Sequence, residues 1–400
     1  MMRAFKRSLG AAAVAVCLSL LGLSQVFLSA QTQAPKIIDN PERPKFSADN
    51  APQLVFNQEI SIPLAGRRYC FDVDDEGNIF LLESMKCRIT VFDKDGRVLR
   101  QFGRQGQGPG ELQNSVYLAV ANDKRVYVAD RSGKALQVFD RDGKWLERRP
   151  LSSLGMVNSL QFDSAGGVYI QDMRNLFALN DEARIKRGVA GLSRLSKFNG
   201  NFEKIADVEI WDNRFLRKAG DEGYNFLLYH DIFYYQVDSG DDLYYGDSSR
   251  YEIRQLASDS RLKRIIRRSG SRIPTTKQDL ANMIREFPER KDQEQEISKS
   301  KPFFVDFHVL DKIGLLVGTY DSEWNGKGLM TCDLFDLDGV YIAKVTVPRY
   351  YYLRDQDSMS EQRNRLFKNG LCYSIIYNDK DDTLELVRHR VELKWPRETR

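Results

Sequence analysis

The sequence predicts an all-β protein, a six-bladed β-propeller of four-stranded antiparallel blades whose ring is closed by an N-terminal strand and which carries one inserted amphipathic helix. Three observations predict it. The segment RYCFDVDDEGNIFLLESMKCRITVFDKDGRVLRQF is matched about 47 residues on by VYLAVANDKRVYVADRSGKALQVFDRDGKWLER, and a repeat of that period marks stacked supersecondary units. Both copies read strand, tight turn, strand, loop, strand, Asp-x-Asp-Gly turn, strand. Their strands are runs of β-branched and aromatic residues more than strict alternations, as in sheets covered on both faces.

The elements follow in chain order. Residues 1–30 place Arg3, Lys6 and Arg7 before an apolar segment ending in Leu28-Ser29-Ala30, the layout of a secretory signal peptide. Cleavage there is expected, with the product exported to the periplasm or the extracellular space and not inserted in the membrane. Loss of those three cations lowers the formal charge from +4 to +1, which excludes the concentrated basic surface of a nucleic-acid protein. Residues 31–50 read as a polar linker and residues 51–400 as the propeller. QLVFNQEISIPL, from Gln53 to Leu64, is the strand available to complete the last blade and remove a free sheet edge. The Phe-Asp-x-Asp-Gly hairpin recurs at Phe92, Phe139 and Phe335, with degenerate forms near Phe198 and Leu256. First hairpins recur as FDVDDEGNIFLL, LAVANDKRVYVAD, LQFDSAGGVYIQD, YQVDSGDDLYYGD and FHVLDKIGLLVGT. A last unit, RLFKNGLCYSIIYNDKDDTLELVRHRVEL, supplies about three strands, and Gln53–Leu64 brings the blades to six. Within the insertion 269–301, Leu280, Met283, Ile284 and Phe287 follow Thr276 and Asp279 at helical spacing, an amphipathic helix with an approximate capping box.

FGRQGQGPGEL, from Phe102 to Leu112, has the glycine content of a phosphate cradle but is followed by a strand, LQNSVYLAV. A cradle requires a helix N-terminus there, so the stretch turns the chain between blades. GRQGQGPGEL and VYVADRSGKALQVFDRDGKWL resemble the NHL-repeat signature of six-bladed propellers, and the chain as a whole is similar to exported six-bladed propeller proteins of bacteria. The resemblance implies the fold. It leaves function open among binders, scaffolds, lyases and lactonases.

In such a blade the first and third turns leave one face of the disk, and the other connections leave the opposite face. The first class is uniformly short here, while the second is long and rich in aromatic and Arg residues. Long loops on a rigid scaffold are where binding resides. The candidate ligand-binding residues are Arg104, Arg131, Arg174, Trp211, Arg214 and Tyr224, together with Trp324, Tyr350, Tyr351 and Tyr352, because aromatic and Arg side chains are the usual anchors. The expected partner is a protein, peptide or glycan, held by a monomer without a cofactor. No covalent nucleophile motif is present. The alternative is a metal-dependent lyase or lactonase-like enzyme with calcium or zinc in the central channel, for which His308, Asp306 and His230 are the candidate ligands. Asp72–Glu83 nearly fits a calcium loop, but its acids lie in two strands and a turn. Cys70 and Cys87, both placed near the loop-rich face of the first blade, are candidates for a disulfide across one intervening strand.

Overall fold

A computed structural model describes residues 34–396 without 67, 131–133, 152–153, 176–181, 184–188, 215, 218–223, 226–228, 287–297, 321–327, 351–363 and 379–382. Six antiparallel four-stranded sheets account for nearly all of it. Blade one is Tyr69–Val73, Ile79–Glu83, Arg88–Phe92 and Val98–Phe102; blade two is Ser115–Val120, Val126–Asp130, Ala135–Phe139 and Trp145–Pro150. Blade three runs Met156–Phe162, Val168–Asn175, Val189–Phe198 and Lys204–Arg214, and blade four Phe233–Val237, Leu243–Asp247, Glu252–Leu256 and Leu262–Arg268. Blade five is Asp306–Leu310, Gly314–Gly318, Leu329–Phe335 and Tyr341–Pro348. Blade six takes Arg365–Lys368, Leu371–Asn378 and Thr383–Lys394 from the C-terminus and Gln53–Leu64 from the N-terminus, the ring closure expected from sequence.

The first strands of successive blades touch one another and so line the axis. In blades one and two the second and third strands are buried along almost their whole length, whereas the outer strand alternates with solvent. That gradient explains why the inner strands read as continuous apolar runs. Aromatic side chains fill the wedges between blades: Phe102 meets Phe139 at 5.1 Å, Tyr127 meets Phe162 at 4.7 Å, and Trp211 stacks on Phe233 at 3.7 Å. The Asp-x-Asp-Gly turns are built by their first acid. Asp140 Oδ1 accepts the amides of Asp142 and Lys144, at 3.0 and 2.8 Å, and Gly143 takes the positive φ of 88° that the turn requires.

Residues 34–50, the described part of the expected linker 31–50, are more than a linker. Lys36–Asn40 adds a parallel fifth strand to the outer edge of blade four. The buried Asn40 side chain donates to the carbonyls of Arg267 (2.9 Å) and Gly339 (3.0 Å) and accepts from the Tyr341 amide (2.8 Å). Lys45 and Phe46 then donate to the outer strand of blade five. The reason is geometric: two outer edges would otherwise present unpaired backbone groups.

The helix forms at Lys277–Glu286, with Thr276 and Asp279 exchanging hydrogen bonds as a capping box. Phe287 lies outside the described residues, and the helix is fastened through Asp279 to Lys301 Nζ at 2.7 Å. In the 102–112 stretch, Glu111 accepts from the Gly108 amide and from Arg104 Nε, both at 2.8 Å, which confirms a self-contained turn between blades. No helix among the described residues is long and apolar enough to cross a membrane.

Candidate functional site between blades five and six

At the loop-rich end of every blade one residue of the first strand stands opposite one of the second. The pairs are Tyr69 with Glu83, Ser115 with Asp130, Val157 with Asp172, Phe233 with Asp247, Asp306 with Gly318, and Arg365 with Ser374. In blades one to four the second-strand member is an acid that organises the local structure. Asp130 accepts the amides of Gln113 (2.9 Å) and Asn114 (3.2 Å). Asp172 accepts from the Gly155 amide (2.7 Å) and from Arg194 Nε (2.9 Å). Asp247 takes the Ser249 amide, and Glu83 gathers Lys86, Arg88 and Thr90.

Blades five and six break this rule. Gly318 has no side chain, and a Cβ placed there would lie 2.2 Å from Asp306 Oδ1. The carboxylate has moved from the second strand to the innermost one and fills the space the missing side chain leaves. Arg365 opens the innermost strand of the next blade. Both are buried, Asp306 at 6% exposure and Arg365 at 4%.

Asp306 Oδ2 receives the Tyr350 hydroxyl at 2.5 Å and faces His308 Nε2 at 3.1 Å. The Arg365 guanidinium lies over the Tyr350 ring, 4.4 Å from its centroid, and donates to the Pro348 carbonyl. His308 in turn packs on Phe367 at 5.2 Å. Burial alone would raise the pKa of Asp306. The neighbouring His308, Arg365 and Tyr350 outweigh burial and hold the carboxyl below its ordinary value. Burial pushes the nearby Cys372 thiol up to about 11 and Cys332 well above its ordinary value, so neither is a thiolate at neutral pH. Asp306 Oδ1, Arg365 Nε and, behind them, His389 Nδ1 are buried without a hydrogen-bond partner among the described residues. Native structures pair nearly all such atoms.

The structure distributes the sequence candidates unevenly. Tyr350 joins the cluster. Arg104 is exposed and paired with Glu111. Arg174 Nε lies 3.8 Å from Asp172. Trp211 is a packing residue between blades, not part of a loop, because the outer strand of blade three extends to Arg214. Tyr224 lies in a two-residue strand, Tyr224–Asn225. The side chains of Tyr224 and Arg214 fall outside the described residues, as do Arg131, Trp324, Tyr351 and Tyr352 entirely. His230 precedes the first strand of blade four, while Asp306 and His308 are directed at each other. Among the described residues no three His, Cys, Asp or Glu side chains converge as a metal would require.

Cys70 and Cys87 are not joined. Both are buried thiols. Leu82 pairs with Cys70 on one side and with Ile89 of the third strand on the other, and Cys87 caps the turn before that third strand. Two inter-strand steps of about 4.8 Å exceed the roughly 7 Å that a disulfide spans between Cα atoms. The Cys70 thiol is directed at the Leu118 carbonyl (3.9 Å) and Cys87 at those of Ser84 (3.7 Å) and Gln113 (3.8 Å). Sequence reasoning missed Arg365. The signal that finds it is the acid ending GNIFLLE, RVYVAD, GVYIQD and DLYYGD, which fails at GLLVG.

A family model described as a 6-bladed beta-propeller, DUF5128, matches residues 72–176. No curated protein matches the chain. Among solved structures the chain is similar to a protein described as exported from Bacteroides fragilis NCTC 9343, at 14% identity and a TM-score of 0.50, over 90% of this chain and 100% of that one. It is also similar to a member of the DUF4221 family from Bacteroides vulgatus, at 12% identity and a TM-score of 0.52, over 87% of this chain and 100% of that one. A virginiamycin B lyase of Staphylococcus aureus aligns with 84% of this chain and 99% of its own, at 8% identity and a TM-score of 0.39, a likeness that carries no argument about chemistry. Topology and family model agree that the chain is a six-bladed β-propeller of four-stranded antiparallel blades.

Proposed function

We propose that this chain is an exported binding propeller, of NHL-repeat kinship, that holds a protein, peptide or glycan at its loop-rich opening between blades five and six. The observation that supports the reading most is the displaced pair Asp306 and Arg365. Two buried, oppositely charged side chains on adjacent innermost strands each keep a hydrogen-bonding atom without a partner among the described residues. A carboxylate, a guanidinium, an imidazole and a phenol within one cluster offer both donors and acceptors, which suits a ligand rich in hydroxyl or amide groups. The cluster holds no activated nucleophile, and its thiols are protonated.

The test uses the exported form of the chain on a glycan array and in pull-down from the envelope of the source organism. Wild type retains a specific ligand. Asp306→Asn, which keeps the shape and removes the charge, weakens it about tenfold or more, as loss of a charge-assisted hydrogen bond does. One equivalent of tightly held metal together with turnover of a lactone or a cyclic depsipeptide would overturn the reading in favour of an enzyme. Export to the periplasm or extracellular space is checked by mass spectrometry of the N-terminus, expected near Gln31.

A further inference from the structure

The face of the disk opposite the loop-rich opening carries a cavity of about 610 Å3 between blades four and five. That is the size of a site for a small ligand or a few peptide residues. Its walls are apolar, formed by Tyr244, Ile266, Val309 and Leu315, and its rim carries three acids, Asp238, Asp311 and Asp336, beside two cations, Arg264 and Lys312.

Each rim carboxylate uses one oxygen locally. Asp238 Oδ1 accepts the amides of Gly240 and Asp242, both at 2.9 Å. Asp336 Oδ1 accepts those of Asp338 and Val340, also at 2.9 Å, and Asp311 Oδ1 takes the Ser239 hydroxyl at 2.7 Å. None of the three acids has an ion-pair partner among the described residues. The adjacent Arg264 guanidinium donates instead to the Leu337 carbonyl at 2.6 Å.

In two other blades the same turn acid has a cation beside it, supplied by the neighbouring blade for Asp74 and by the same blade for Asp163. Asp74 of blade one lies 3.7 Å from Arg141, and Asp163 of blade three lies 3.8 Å from Lys197. Lys197 stands opposite Tyr169; the residue opposite Tyr244, its counterpart in blade four, is Gln255. Gln255 bonds Asp242 instead, at 2.6 Å. Blade four therefore keeps the acid and lacks a cation at that position, its Lys263 pairing with Asp242. Burial, with Asp242 and Asp311 close by, holds the Asp238 carboxyl above its ordinary value, the direction expected where negative charge is uncompensated.

We propose that this cavity binds a lysine or arginine side chain presented by an aliphatic peptide segment. The cation sits between Asp238 and Asp311, and the flanking aliphatic side chains lie against Ile266, Val309 and Leu315. The ligand supplies the charge that Lys197 supplies in blade three. The site is independent of the opening between blades five and six, and both are able to be filled at once.

The experiment is a titration of the methyl-labelled full chain with acetyl-Leu-Lys-Leu-amide, followed by the methyl signals of Ile266, Val309 and Leu315, with acetyl-Leu-Gln-Leu-amide as comparator. The lysine peptide shifts those signals and binds about tenfold more tightly than the glutamine peptide. Asp238→Asn, which retains the Oδ1 acceptor of the turn, and separately Asp311→Asn, reduce it to the level of the glutamine peptide. Asp123→Asn on the same face of blade two leaves it unchanged. Equal affinity for the two peptides, shifts spread away from the cavity, or no shift at all at millimolar peptide overturns the proposal.

Discussion

At Gly318 the absence of a side chain is what lets an acid sit on the innermost strand, and the same blade-to-blade comparison exposes a second unusual residue, His389. Its ring is 7% exposed, set edge-on to Phe56 at 5.9 Å, with Nδ1 unpartnered. Burial, and secondarily the charge on Arg365, lowers its pKa below the ordinary value of about 6.5. The sign of the consequence follows from linkage. A histidine held neutral in the fold binds a proton more readily when unfolded, so its contribution to stability is complete above about pH 6.5 and is lost as pH falls through the folded value. Urea unfolding midpoints of the wild type therefore decline between neutral pH and mild acid, and His389→Phe flattens that part of the profile. The depressed carboxyl of Asp306 acts in the same direction at lower pH, fading as pH falls through its own folded value, so Asp306→Asn alters the acidic limb and leaves the histidine limb in place.

Elements differ in how far they can be read from sequence. Hairpins are legible because the side chain that marks the turn also makes it: Asp93, Asp140 and Asp336 each accept amides two and four residues on. Blade six is legible because Gln53–Leu64 is long and apolar on one face. Lys36–Asn40 is not, since parallel pairing at an edge leaves no period in five residues and its contacts lie 227 residues away at Arg267. The sequence offers Tyr350 as part of a binding face and Asp306 and His308 as candidate metal ligands, with nothing in it to join the three, and Arg365 in RLFK reads as a surface cation until the first strand of blade six is seen to bury it. The N-terminal strap is held chiefly by Asn40. Replacing it with Ala removes three hydrogen bonds and strands a buried amide and two carbonyls, so Asn40→Ala is expected to cost about 1–3 kcal/mol in chemical denaturation. Asn40→Asp, which still accepts from the Tyr341 amide but cannot donate, falls short of wild type as well.

For the whole molecule, closure joins residues far apart in the chain: Gln53–Leu64 pairs with Thr383–Lys394 along nearly its full length. The strap before it crosses the outer edges of blades four and five, so residues 36–46 cover two of the six rims and Gln53–Leu64 forms a third, whereas blades one to three leave Val98, Leu99, Leu146, Ile205 and Ile210 exposed on their outer strands. The two portions of this arm have different duties, and truncation separates them. A chain starting at residue 51 keeps the closing strand and loses only the strap. It stays a folded ring, but the uncovered edges of blades four and five make it self-associate, which sedimentation detects as a concentration-dependent species absent from wild type. A chain starting at residue 65 also loses the fourth strand of blade six, exposing the third strand, where Leu386, Val387 and Val391 are buried. Because a ring blade is stabilised by both neighbours, the gap weakens blades one and six together. That chain shows diminished near-ultraviolet circular dichroism and binds a hydrophobic dye at temperatures where the residue-51 chain remains native. If the residue-65 chain instead unfolds at the same denaturant midpoint as wild type, closure by the N-terminal strand contributes nothing to the stability of the ring.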